Sequence, residues 1–330
     1  MTLLAKGVIC LTDTLLLHTR NLLMLGVVFC SACAPLVNRP GKPVQAPSLG
    51  HSHFAAADGA VLPMRSWLPP PEMPPKAVIV ALHGFNDYSR FFTGPGEYLS
   101  RRGFACYAYD QRGFGNSPGW GLWGGMDAYM EDVKVFTALL RLRHPGIPLY
   151  LLGESMGGAI VIVTMTSVNP PDVDGLILSA PAVWGRSTMP WYQRALLDTM
   201  AYVAPSLRLT GEGLKKMASD NIEMLRQLGR DPLFIKATRV DAMYGLTDLM
   251  DAALDQAAQL KHPTLVLYGE KDQIIPRQPV SQMLANMPPP PQTTVIYYPN
   301  GYHMLLRDLQ ADQPLNDIAE WIANPAARRP

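Results

Sequence analysis

Three residues of the 330-residue chain have the types needed to act together on an acyl group: Ser155, Asp272 and His303. Ser155 stands in Gly153-Glu154-Ser155-Met156-Gly157, after the apolar run Leu149–Leu152 and before a helix pattern. A serine hydroxyl is a poor nucleophile at neutral pH and needs a base that is itself oriented. His303, in Asn300-Gly301-Tyr302-His303, supplies an imidazole, and Asp272, in Gly269-Glu270-Lys271-Asp272, supplies a carboxylate to hold it. Glu270 is the competing acid. Asp272 is preferred because Glu270 directly follows the strand-end glycine and is expected to point elsewhere. A tetrahedral intermediate needs donors for its oxyanion. The N–H of Met156, directly after the serine, and that of Phe85, in Leu82-His83-Gly84-Phe85, are the expected pair. His83 could be a second base, but that turn works through its backbone, so His83 reads as a brace for the loop. A lone G-x-S-x-G is a weak signal, since any Gly-rich turn can match it. Its force comes from the partners and from where they lie.

That place is set by the elements. Ala77–Leu82, Phe104–Tyr109, Leu149–Leu152, Leu176–Leu178, Thr264–Tyr268 and Thr293–Tyr298 are continuous apolar runs. Such runs, as opposed to alternating ones, belong to strands covered on both faces. Between two of them, Met126, Tyr129, Met130, Val133, Phe136 and Leu140 recur at steps of three and four, one face of a helix. The alternation predicts a mainly parallel, doubly wound sheet. Segments near His53–Ala57 and Val61–Leu68 read as an antiparallel hairpin at its start. Ser155, Asp272 and His303 each follow a strand, so all three fall on the carboxyl edge, where open α/β sheets build sites. From about Val183 to Gly245 the alternation fails, and helix-forming patches with Trp184, Met189, Trp191 and Met200 replace it. This stretch reads as a helical insertion without a strong strand. It begins close after the strand ending near Ser179, so Trp184, Met189 and Trp191 are candidates to roof an apolar channel. The plainer reading is that they fill helix–helix contacts.

Apolar residues make up 48% and charged residues 17%, which excludes a disordered chain. The formal charge is +1, so no basic face for nucleic acid is expected. No Cys/His cluster has metal-ligand spacing, and Cys106 sits in a buried run as a core residue. Residues 1–33 differ from the rest. Asn21–Asn38 carries no charge until Arg39, Lys6 and Arg20 precede it, and Ser31-Ala32 stands before Cys33. This is similar to a bacterial lipoprotein signal, in which Cys33 would receive lipid. It departs from that pattern at Cys30 and in its long leading region; an uncleaved anchor helix or a mis-assigned start site is the alternative. The expectation is a membrane-anchored protein of the bacterial cell envelope, a soluble cytoplasmic form being the other outcome. Residues 34–50, with four prolines, read as a tether, and 324–330 as a tail.

His83-Gly84-Phe85, Asp110-Gln111-Arg112-Gly113-Phe114-Gly115-Asn116-Ser117, Gly153–Gly158, Gly269–Asp272 and Gly301–His303 together resemble the monoacylglycerol lipase and lysophospholipase branch of the α/β-hydrolases, over about residues 50–322. The resemblance implies an α/β-hydrolase core over 51–182 and 246–323 with a helical lid over 183–245. It also implies a serine esterase that needs no metal or organic cofactor. Ser155, Asp272 and His303 match the branch's triad, and Phe85 and Met156 its oxyanion donors. Two positions depart: Phe114 and Glu154 stand where the branch often has His. Asp110 and Arg112 read as turn braces. The implied partner is a single-chain lipid ester, a monoacylglycerol or lysophospholipid; oligomeric state is open. A peptidase or thioesterase on the same scaffold is the alternative, and a lipid-binding protein without chemistry the more distant one.

Overall fold

The computed structural model describes residues 34–324 except 212, 214 and 215. The signal-like segment 1–33, with Cys33, and residues 325–330 of the tail lie outside the described residues.

The chain runs through β1 (Ser48–Leu49), β2 (His53–Ala55), β3 (Val61–Trp67), β4 (Ala77–Leu82), α1 (Thr93–Ser100), β5 (Phe104–Tyr109), α2 (Met126–Arg143), β6 (Leu149–Glu154), α3 (Met156–Met165) and β7 (Gly175–Ser179). The insertion follows with α4 (Trp191–Val203), β8 (Arg208–Thr210), α5 (Ile222–Arg230) and β9 (Ala237–Arg239). Then come α6 (Val240–Gln256), β10 (Thr264–Gly269), α7 (Arg277–Asn286), β11 (Thr293–Tyr298) and α8 (Asp312–Ala323). Among the described residues, nine strands form one sheet in the order β1-β2-β3-β5-β4-β6-β7-β10-β11. From β5 to β11 every pairing is parallel, while β1, β2 and β3 join antiparallel at the other end.

The continuous apolar runs have the expected cause. In β4, Val78, Val80 and Leu82 enter one core, and Ala77, Ile79 and Ala81 the other. In β5, Ala105, Tyr107 and Tyr109 face the first, and Phe104, Cys106 and Ala108 the second. Side chains alternate across a strand, so a strand covered on both faces must be apolar at every position. Helix α3 is buried along its whole length and apolar all round, as a helix under the sheet's centre must be. Cys106 lies wholly buried, and burial pushes its thiol well above the ordinary range.

Three boundaries differ from the sequence reading. The insertion contains a strand pair: β8 and β9 join antiparallel, Arg208 opposite Arg239 and Thr210 opposite Ala237. Each strand has three residues, and β8 is exposed throughout, which leaves no apolar periodicity to read. Helix α6 runs through Gly245, so the insertion ends at the ribbon, near residue 239, and not inside the helix. Gly245 is held within that helix because any side chain there would strike the Trp123 indole. Residues 34–50 are docked and not a free tether. Val37 bridges to Trp123, the Asn38 N–H donates to the Trp123 carbonyl at 2.7 Å, and the Val44 N–H donates to the Ala57 carbonyl at 2.7 Å. Prolines stiffened the segment without freeing it. Among the described residues, no helix is long and apolar enough to cross a membrane.

Candidate active site

The turn after β6 exists because two glycines permit close approach. A Cβ on Gly157 would land on the Leu82 carbonyl of β4, and one on Gly153 would land on the Gly157–Gly158 backbone. With those side chains absent, α3 starts directly beneath the strand end and Ser155 is forced to φ 53° and ψ −115°. A non-glycine residue at positive φ costs about 1–3 kcal/mol and persists only where its surroundings impose it. Here the Ser155 N–H donates to the Ser179 carbonyl at 3.0 Å, and the Ala182 N–H donates to the Ser155 carbonyl at 2.9 Å. The turn is pinned to the end of β7.

The loops after β10 and β11 interlock in the same way. A Cβ on Gly269 would meet the Gly301 carbonyl, and the Lys271 N–H donates to that carbonyl at 3.0 Å. This packing sets His303 against Asp272, with Nδ1 2.8 Å from Oδ2. Asp272 Oδ1 accepts the N–H groups of Ile274 at 2.7 Å and Ile275 at 3.0 Å, so the carboxylate cannot rotate away. Glu270 lies 3.6 Å from Arg277 at the surface. His303 is buried. Desolvation is the largest single influence and disfavours its charged form; the Asp272 charge and hydrogen bond, with help from Glu154, outweigh it and hold the imidazole above its ordinary value.

Phe85 follows β4 in a loop that touches the serine: a Cβ on Gly84 would sit 3.3 Å from Ser155 Cβ and 3.9 Å from its Oγ. A side chain there would crowd the serine. His83 braces it. Its Nε2 accepts the Gln111 N–H at 3.0 Å, so the proton is on Nδ1, which donates to the Gly84 carbonyl at 2.8 Å. Desolvation lowers the His83 value, consistent with a neutral ring committed at both nitrogens. Phe114 packs on both His83 and Phe85, with ring centroids 5.4 and 5.6 Å away. Asp110 ties Ser89 and Asn116 together, while Arg112 is shared between Asp58 and Asp132. Both side chains are spent on structure.

Sequence reasoning missed a buried charge cluster. Arg307, four residues after His303, reaches Asp87 Oδ2 at 2.8 Å and Glu154 Oε1 at 2.7 Å. The only available signal was three charged residues close in sequence to site residues: Asp87 two after Phe85, Glu154 directly before Ser155 and Arg307 four after His303. Also missed was a seam between the insertion and the histidine loop. Met304 N–H donates to the Ala218 carbonyl at 2.9 Å, Asn221 Nδ2 to the Arg307 carbonyl at 3.0 Å, and Leu309 N–H to Asp220 at 2.8 Å. Asp308 accepts from Ser219 Oγ and from the Tyr302 N–H.

Of the insertion residues, Trp184 and Met189 are half-buried against the core. Trp191 is 74% exposed and, among the described residues, its one ring contact is edgewise on Tyr192, so it does not roof a channel in this structure. The cause is its element: Ala201 is the one buried residue of α4, leaving the first turn nothing to pack against. An open cavity of about 880 Å³ lies between α1 and α5. Asp87, Tyr88, Phe91, Met224 and Arg307 are in its wall, but Ser155, His303, Trp184, Met189 and Trp191 are not. Among the described residues, no group of three His, Cys, Asp or Glu could hold a metal ion.

Residues 73–310, more than half of the chain, match the Hydrolase_4 family, described as serine aminopeptidase, S33. The monoacylglycerol lipase of Mycolicibacterium smegmatis is 26% identical over 276 residues, covering 82% of this chain and 96% of its own. The monoglyceride lipase of Rattus norvegicus is 27% identical over 284 residues, covering 83% of this chain and 91% of its own. Among solved structures, a soluble variant of the Saccharomyces cerevisiae monoglyceride lipase with a substrate analog has a TM-score of 0.70 at 20% identity. It covers 88% of this chain and 98% of that one, a likeness of fold. The chain therefore belongs to the Hydrolase_4 family, and is a hydrolase of the α/β-hydrolase fold, similar to the monoacylglycerol lipases.

Proposed function

We propose that this protein hydrolyses the carboxylic ester of single-chain lipids, monoacylglycerols or lysophospholipids, through an acyl-enzyme on Ser155. The observation that carries the reading is the 2.8 Å contact of His303 Nδ1 with a carboxylate fixed by two backbone amides, at the sheet edge where Ser155 is raised. With Nδ1–H given to Asp272, Nε2 is left to take the serine proton and return it to the leaving alcohol. Ser155 Oγ attacks the ester carbon, and the N–H groups of Met156 and Phe85 bind the oxyanion. Expulsion of the alcohol leaves the acyl-enzyme. Water activated by the same histidine then releases the fatty acid. Similarity to the monoacylglycerol lipases supports the choice of a lipid ester, and the half-buried Trp184 and Met189 supply apolar surface for an acyl chain. The insertion acts as the lid. The N-terminal segment holds the protein at the cell envelope, through lipid on Cys33 or as an anchor helix.

The test is a fluorophosphonate probe and a substrate panel: a medium-chain monoacylglycerol, a lysophospholipid, a short soluble ester, a triacylglycerol and an aminoacyl amide. Labelling of wild type but not of Ser155→Ala, with the highest kcat/KM on a single-chain lipid ester, is the expected result. Preference for the amide, or labelling that survives Ser155→Ala, would overturn the proposal. Metabolic labelling with a fatty acid separately tests Cys33; an unlabelled protein would leave only the anchor-helix version.

A further inference from the structure

The cluster around Arg307 stands where the three loops of the site meet. Asp87 comes two residues after Phe85, Glu154 directly before Ser155, and Arg307 four residues after His303. Each contributor is therefore fixed to the backbone of one loop that the proposed chemistry uses. The contacts are short ion pairs, 2.8 Å to Asp87 and 2.7 Å to Glu154, the latter a directed hydrogen bond, and all three side chains are at most 10% exposed.

Each anchor is itself constrained. Asp87 Oδ1 accepts the Tyr88 N–H at 2.8 Å, and the Asp87 N–H donates to the Gly84 carbonyl at 3.3 Å, closing the loop that touches Ser155. Glu154 is the last residue of β6, in register with Ser179. The Arg307 N–H donates to the Met304 carbonyl at 2.8 Å, closing the turn that follows His303. Apolar residues of the same volume would fill this space at less desolvation cost, but they fix no direction. A guanidinium is a rigid planar fork that sets two distances and an angle at once.

Resting on the reading of Ser155 and His303 as the reacting pair, we propose that Arg307 is a positioning residue. Its buried guanidinium holds the oxyanion loop, the serine turn and the histidine loop at the separations the reaction needs. It touches no reacting atom. Two carboxylates share one cation, so the cluster carries surplus negative charge beside the imidazole, although burial pushes the Glu154 carboxyl above its ordinary value. The groups facing His303 are Asp272 from the loop after β10, Glu154 from the end of β6 and Arg307 from its own loop. Asp87, Asp308 and His83 stand one step behind. Glu154 thus favours the imidazolium that forms when the serine gives up its proton, and Arg307 opposes it while holding Glu154 in place.

The experiment compares full-length wild type with Arg307→Lys, Glu154→Gln and the neutral combination Arg307→Met/Glu154→Gln/Asp87→Asn. The combination removes the cation without stranding its partners, so that a folded variant is obtained. Thermal unfolding reports the fold, and kcat, KM and the pH profile of kcat/KM are measured on the wild type's best ester. Arg307→Lys keeps the charge but not the fork: kcat should fall about 10- to 100-fold with KM within about threefold, and the acid limb should stay in place. Glu154→Gln should move that limb to lower pH, because a charge that favours protonated His303 is gone. The neutral combination should lose kcat at least as much as Arg307→Lys. A folded Arg307→Lys or combination with wild-type kcat, or a Glu154→Gln limb that does not move, would overturn the positioning role and leave Arg307 a structural ion pair. Ser155→Ala runs beside them. If it keeps turnover, the acyl-enzyme reading fails, and the positioning role with it. If it is dead while Arg307→Lys is normal, only the positioning role fails.

Discussion

Asp272 has both oxygens committed, one to His303 and one to two backbone amides, whereas Glu270 meets only a surface arginine. Ser155→Ala should therefore leave a folded protein with turnover lower by at least about 10³-fold. Asp272→Asn should cost orders of magnitude through the wrong imidazole tautomer, and Glu270→Gln little. Steady-state rates on one ester decide it, and a Glu270 variant worse than the Asp272 variant would mean the acid is misassigned. The sign of the pH dependence follows from His303. It must be neutral to accept the serine proton, and its surroundings hold it above about 6.5, so the inactive protonated form persists to higher pH. Activity should be lost as pH falls through a value above about 6.5. A profile of kcat/KM from pH 5 to 9 that stays flat, or breaks well below 6, contradicts this. These residues were legible in the sequence because chain order and strand ends place them without any knowledge of contacts. Arg307 was not legible, because a buried cation and a solvated one look alike until the loops bearing Asp87 and Glu154 are brought to it.

The strands were legible for a related reason: burial on both faces writes itself as an unbroken apolar run, as in Ala77–Leu82. The elbow's glycines carry the same kind of information, now as missing volume. Gly157→Ala should give a poorly folded protein, since its methyl would enter the Leu82 carbonyl, which is main chain and cannot rotate away. A loss of about 1–3 kcal/mol or more in urea unfolding is expected, and an unchanged midpoint would mean the elbow is looser than described. The insertion hid its structure because its contacts are polar and distant in sequence. Asp308→Ala removes the acceptor for both Ser219 and the Tyr302 N–H in the seam. It should destabilise by about 2–3 kcal/mol and lower kcat through the loosened histidine loop. Proteolysis should first cut near 216–221 in that variant. A cut elsewhere, or none, would show that the seam does not hold the segment down.

At the scale of the whole molecule, the docked segment 34–50 changes what an N-terminal truncation would do. Cutting before residue 48 removes the Val37 bridge to Trp123 and the bonds to Ala57, and should cost about 2–4 kcal/mol at roughly 1 kcal/mol per backbone bond plus lost packing. Activity should persist at low temperature, since none of the residues removed belongs to the site. Chemical unfolding of the two forms measures it; equal stability would restore the tether reading. The β8–β9 ribbon has a consequence of a different kind. By pairing Thr210 with Ala237, it brings the two ends of residues 211–236 to neighbouring positions on antiparallel strands, about 4.5–5.5 Å apart between Cα atoms. That segment is thus a cassette. A two-residue hairpin turn could close the same gap, so the segment could be exchanged for another of different length while the sheet beneath kept its register. A replacement would have to renew the contacts that residues 218–221 make with the loop after His303, so the insertion can vary in length only where that tie to the histidine loop is kept.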